Sequence, residues 1–257
     1  MCFDFDSRPP IAPIAGGALD SARLVLTASD RNWIAAFRVR GATPSGAGVV
    51  ILPDVRGLVP YYEELALRFA ENGIDALAID WFGRTAGAEA RDEDFERDEH
   101  VPQTTWAGMR ADIIAAVEEM QSPDEGRAAP TAVFTIGFCM GGRASFLAAT
   151  LGLGLKGVIG LYGTLAGPGR NDIPAPVDLV TEIEAPVLGL FGGADKAIPP
   201  EAIAAFDGGL TGAGVDHRIV SYPGAPHSFF DREMPEFGDA SAASWEEILG
   251  FIRGHTA

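Results

Sequence analysis

Apolar residues along this chain recur in two patterns. Short unbroken apolar runs appear at "GVVILP" (48–53), "AVFTIG" (132–137), "KGVIGLY" (156–162) and "APVLGLFG" (185–192). Such runs read as strands buried on both faces, as in a parallel sheet. "WIAAFRVR" (33–40), "IDALAID" (74–80) and "HRIVSY" (217–222) read as further strands. Between them the spacing turns helical. "YYEELALRFAEN" (61–72) sets Tyr62, Leu65 and Phe69 on one face, and Gly73 follows as a C-cap. Helices are also predicted over 105–121, from about Met140 to Thr150, from Pro199 and Pro200 to near Gly208, and over 241–255. Strand and helix alternate throughout, which predicts an α/β fold: a mostly parallel sheet with right-handed crossovers covering both faces with helices.

Two stretches fall outside this alternation. Residues 1–20, rich in Pro, Ala and Gly, read as an N-terminal arm ahead of a single domain over 21–257. Residues 83–104 contain the run "RDEDFERDEH", which reads as an acidic, lid-like insert.

Composition narrows the function. The 257 residues suit one large domain, and 47% apolar content suits a folded one. Asp plus Glu number 36 against 19 Lys plus Arg, a formal net charge of −17. That field repels phosphate backbones and acidic membrane surfaces, so no nucleic-acid or membrane partner is expected. No run of about 18 uncharged apolar residues offers a membrane span. The start, "MCFDFDSRPP", lacks the basic and apolar regions of a secretory signal, so a cytoplasmic location is expected. Two cysteines, Cys2 and Cys139, without a Cys/His cluster, point away from zinc and from a disulfide framework. The expected ligand is a small-molecule substrate, handled by a monomer or homodimer without metal or cofactor; Cys2 reads as an exposed tail thiol.

The chemistry concentrates at "TIGFCMGG" (135–142), where Gly137, Cys139 and Gly141 form G-x-C-x-G between a strand and a helix. This is the context of a nucleophile elbow. It lifts the side chain at 139 over a helix N-terminus, whose partial positive charge favours a thiolate, and aims the Met140 N–H at an oxyanion. By itself the motif also fits a small buried thiol. Chain order separates the two readings, because in an elbow of this kind an acid and then a histidine follow the nucleophile, each just past a strand. "LFGGADKAIPP" supplies Asp195 and "YPGAPHSFFD" supplies His227. His100, His217 and His255 sit at less suitable positions. The expected roles are Cys139 as nucleophile, His227 as base and Asp195 as its orienter. In "PDVRGL", Val55 offers a second oxyanion N–H, and Asp54 places a carboxylate near the thiol.

With these residues identified, "GFCMGG", "GGADKAIP", "YPGAPHSFFDR", "LPDVRGL" and "AIDWFGR" resemble the dienelactone hydrolase family of α/β-hydrolases, over roughly residues 20–255. The resemblance implies the α/β-hydrolase fold. It also implies hydrolysis of a carboxylate-bearing enol-lactone to maleylacetate during breakdown of chlorinated or hydroxylated aromatics. In the family a glutamate after the early strand helps to activate the cysteine; Asp54 holds that position, one methylene shorter. Two arginines bind the substrate carboxylate in the family. Arg84 of "WFGR" matches the first and Arg232, five residues after His227, is offered as the second, with Arg56 and Arg143 as substitutes. Trp81, Phe82 and Tyr162 are expected to line the pocket. A broader carboxylesterase acting on neutral short-chain or aryl esters, and a non-catalytic binding protein that keeps the fold, are the competing readings.

Overall fold

The computed structural model describes residues 5–14, 20–89, 91–123, 126–169 and 171–256. Cys2, with part of the expected arm, lies outside them. Eight strands form one sheet: β1 (Asp20–Thr27), β2 (Trp33–Arg40), β3 (Ala47–Leu52), β4 (Asp75–Ile79), β5 (Ala132–Phe138), β6 (Gly157–Leu161), β7 (Val187–Gly192) and β8 (His217–Tyr222). Their order is β1-β2-β4-β3-β5-β6-β7-β8. β2 pairs antiparallel with β1 and β4, and the remaining pairs are parallel. This is the α/β-hydrolase arrangement.

The inner strands are buried along their whole length because helices cover both faces. The helices are α1 (Pro60–Glu71), α2 (Gly83–Ala86), α3 (Arg97–His100), α4 (Trp106–Met120), α5 (Met140–Ala148), α6 (Pro200–Ala213) and α7 (Gly238–Gly254). α1 and α7 meet through the Phe69 and Trp245 rings, 4.8 Å apart. α5 and α6 meet through Phe146 and Phe206 at 5.1 Å.

The elements depart from expectation in two places. β1 is an added edge strand whose residues are mostly exposed, Val25 to 58%, so the apolar pattern that marks the inner strands is weak there. α6 runs past Gly208 to Ala213 and is closed by Gly214 in the left-handed region (φ 72°). Buried Phe206 and Leu210 hold it against the core on both sides of Gly208, and tertiary packing outweighs the low helix propensity of glycine.

The topology fixes where a ligand can sit. From β3 the chain crosses to β4 on one side and then returns to β5 on the other. The carboxyl ends of β3 and β5 therefore flank a switch point, the usual crevice of an open α/β sheet. "PDVRGL" leaves β3 there, and Cys139 leaves β5.

Candidate active site

Cys139 sits between β5 and α5 with φ 53° and ψ −112°, a strained conformation for a residue with a side chain. Its neighbours hold it there. The Cys139 N–H donates to the Leu161 carbonyl (3.0 Å), and the Cys139 carbonyl accepts the Arg143 N–H (3.1 Å). A Cβ on Gly137 would lie 1.8 Å from the Gly141 carbonyl oxygen, and one on Gly141 would lie 2.1 Å from that of Leu52. The two glycines are thus what let helix, elbow and the end of β3 pack together. Cys139 is partly exposed above the N-terminus of α5, where the Met140 N–H has no intrahelical acceptor.

Asp195 and His227, from the loops after β7 and β8, are brought together. His227 Nδ1 lies 2.7 Å from Asp195 Oδ2, and Asp195 Oδ1 accepts the Ala197 N–H at 2.8 Å. Asp195 is buried, whereas the His227 ring keeps some exposure. A carboxylate only accepts, so the Nδ1 proton points at it and Nε2 carries the lone pair. The Tyr162 ring packs 5.1 Å from that of His227. Burial first, then the nearby Tyr61, Tyr62, Asp54 and Cys139, push the Tyr162 hydroxyl well above its ordinary value, which keeps it neutral.

Behind the elbow Asp54 is fully buried. Arg56 Nε donates to both of its oxygens at 3.1 Å, and the Arg56 guanidinium rests over the Tyr61 and Tyr62 rings at 5.5 and 5.8 Å. In front of the elbow opens a cavity of about 490 Å³, within the range of small-molecule sites. Cys139, Met140, Leu165, Ile173, Ile198 and Arg143 are among its lining residues, and among the described residues Arg143 is the one charged side chain of that lining.

The dienelactone hydrolase family profile matches residues 34–256. This chain belongs to the dienelactone hydrolase family. It is a hydrolase acting on ester or lactone bonds. A protein of Salmonella typhimurium named "Putative carboxymethylenebutenolidase" is 31% identical over 93% of this chain and 91% of its own length. One of the same name from Escherichia coli K12 is 29% identical, over 80% of this chain and 76% of its own. Among solved structures, a "Putative Dienelactone Hydrolase" from Klebsiella pneumoniae superposes with a TM-score of 0.78 at 24% identity, covering 91% of this chain and 98% of that one.

Against this family background the arginines are placed unexpectedly. Neither Arg84 nor Arg232 lines the Cys139 cavity. Arg84 is spent on carboxylates: Nη1 and Nη2 donate to Asp112 (2.6 and 3.0 Å) and Nε to Asp30 (2.8 Å). It ties the β1–β2 turn to α2 and α4. Arg232 donates to Glu64 and to the Pro9 carbonyl, clipping the N-terminal arm to α1. Trp81, Phe82 and Tyr162 are all buried outside the cavity wall. Trp81 Nε1 donates to the Pro53 carbonyl (2.8 Å), which supports the "PDVRGL" loop from below. The acidic insert packs elsewhere as well. Buried Arg91 anchors it to Asp80 (2.8 Å), and Asp92, Glu93, Phe95 and Arg97 line a separate hollow of about 250 Å³ with Arg56 and Phe5.

Arg143 is the residue whose place was least legible. It holds the far wall, with Nε donating to the Pro174 carbonyl (2.7 Å), Nη2 to those of Gly167 and Ile173 (2.9 Å each) and Nη1 to Thr164 Oγ1 (3.2 Å). Burial pulls its guanidinium below its ordinary value, against the opposing pull of Asp178. The local signal is an arginine inside a helix whose every residue is buried.

Proposed function

We propose that this family member hydrolyses a small, uncharged ester or lactone through a thioester on Cys139. The observation that carries the reading is the Asp195–His227 hydrogen bond of 2.7 Å at the same sheet edge as a strained cysteine elbow that opens on a cavity. His227 Nε2 takes the thiol proton as Cys139 Sγ attacks the carbonyl carbon. The resulting oxyanion is received by the Met140 and Val55 N–H groups. Its collapse breaks the bond to the leaving oxygen, which takes the proton from His227. Water, deprotonated by His227, then attacks the thioester, and the acid leaves as the thiol is restored. Asp195 keeps the imidazole in the required tautomer throughout.

The uncharged substrate class is supported by the engagement of Arg84 and Arg232 with carboxylates of the protein itself. A second reading, a carboxylate-bearing enol-lactone of the type implied by the relatives' names, is favoured by Arg143, a cation in the cavity wall. Initial rates on p-nitrophenyl acetate and on a dienelactone separate them, measured for wild type, Cys139→Ala and Arg143→Met. Cys139→Ala is expected to lose at least roughly 10³-fold on both substrates. The neutral ester is expected to be the better substrate, and Arg143→Met to raise KM on both alike, because the wall loosens. Full hydrolysis by Cys139→Ala would sink the thioester. A dienelactone preference lost selectively in Arg143→Met would establish the second reading.

A further inference from the structure

The loop after β3 uses its amides unevenly. The Asp54 N–H donates to Tyr62 Oη (2.9 Å), the Arg56 N–H to Asp54 Oδ1 (2.8 Å), the Gly57 N–H to the Asp54 carbonyl (3.2 Å) and the Leu58 N–H to Asp80 Oδ1 (2.9 Å). Among the described residues, no group accepts the Val55 N–H. This loop also lies against the elbow, since a Cβ on Gly141 would meet the Leu52 and Pro53 carbonyls at 2.1 and 2.4 Å. The loop that carries the one amide left over therefore packs against the first turn of α5.

What leaves that amide over is the Asp54 side chain. Its Oδ1 closes a turn on the Arg56 N–H, two residues on, the local geometry that a short carboxylate makes readily and a glutamate one methylene longer does not. Arg56 Nε then braces both carboxylate oxygens, and the fully buried position excludes water from the pair. A carboxylate held this way has both oxygens engaged within its own loop.

We infer that Asp54 is a positioning residue of the oxyanion hole, fixing the Val55 N–H through a turn closed on Arg56, and is not the base that takes the Cys139 proton. The inference rests on the thioester mechanism proposed above. It gives the exchange of glutamate for aspartate a consequence: the side chain changes from activator of the nucleophile to architect of the oxyanion loop, and proton removal falls to His227.

The test compares Asp54→Asn and Asp54→Ala with wild type. Two readouts are taken: kcat and KM on p-nitrophenyl acetate, and the pH profile of Cys139 alkylation by iodoacetamide. Asparagine keeps the acceptor oxygen and removes the charge; alanine removes both. Asp54→Asn should hold kcat within about tenfold, while Asp54→Ala loses roughly 10²–10³-fold in kcat at little-changed KM, the usual effect of losing one oxyanion donor. The alkylation midpoint should coincide in all three proteins. Two results overturn the inference: an Asp54→Asn kcat as low as that of Asp54→Ala, or an alkylation midpoint displaced to higher pH in Asp54→Asn. If Asp54→Ala does not fold, Asp54→Asn against wild type decides alone: a kcat loss beyond about tenfold, or a midpoint displaced to higher pH, overturns the inference. Cys139→Ala, assayed alongside, keeps the two claims apart. Its full activity would end the thioester reading, whereas its inactivity leaves that reading standing whatever Asp54 does.

Discussion

Asp195 divides its carboxylate between two donors, His227 Nδ1 at 2.7 Å from Oδ2 and the Ala197 N–H at 2.8 Å from Oδ1. The second contact decides what an amide would do in its place. In Asp195→Asn the carbonyl oxygen must face the Ala197 N–H, so the NH₂ group faces Nδ1. The imidazole is then driven to carry its proton on Nε2, where it cannot accept one from the thiol. Asp195→Asn is expected to lower kcat by roughly 10⁴-fold with KM nearly unchanged. Steady-state kinetics on an aryl ester check this, and a kcat within twofold of wild type would remove Asp195 from the mechanism.

Close packing at the elbow yields a second prediction. Gly141→Ala puts a methyl group 2.1 Å from the Leu52 carbonyl and 2.4 Å from that of Pro53. Neither backbone group can turn aside without moving the end of β3, so the variant must widen the gap between α5 and the Val55 loop. The expected cost is about 1–3 kcal/mol of stability or more, with kcat falling at least about tenfold as the two N–H groups separate. Gly208→Ala is the control. It is an exposed glycine inside α6 with nothing within 4 Å of its added Cβ, and it should stabilise the protein by roughly 0.5–1 kcal/mol. Thermal melts of the two variants should move in opposite directions.

How much of this was legible in sequence depends on how far each residue's partners lie along the chain. The inner strands are written in contiguous apolar runs, so β3 at Ala47–Leu52 and β7 at Val187–Gly192 fall within two residues of the expected bounds. Cys139 and Asp195 each stand just past such a run and His227 just past the more polar strand 217–222, so their order along the chain can be read before the fold is known. The arginines were not legible, because a match to "WFGR" says nothing about Asp30 and Asp112, 54 and 28 residues away, which capture Arg84. Arg143 likewise finds its acceptors in a loop 21 to 31 residues further on. The difference between aspartate and glutamate at 54 was visible as a single methylene, but its consequence appears only once the amides of the loop are followed to their acceptors.

The Arg84 cluster carries a prediction about pH. Asp112 is buried with Arg84 across both of its oxygens and the Asn32 amide on Oδ1 at 3.1 Å. Burial nonetheless pushes its carboxyl from 3.8 up to about 6, against the pull of Arg84 and Asn32. In the unfolded chain this carboxyl titrates near 4. Between about pH 4 and pH 6 the folded state therefore binds more protons than the unfolded one. The stability contributed by this group is fully present below pH 4 and is lost as pH rises through 6, by at most roughly 3 kcal/mol. Asp112→Asn removes the titration, so its stability should change less than that of wild type over this window. Urea unfolding at pH 4.5, 5.5, 6.5 and 7.5 measures the difference, and identical slopes for the two proteins would refute the assignment. Arg84→Ala supplies the complementary arm. Without its cation the Asp112 carboxyl rises further and the melting temperature at pH 7.5 drops, while KM in the Cys139 cavity stays as in wild type because Arg84 lies outside that wall.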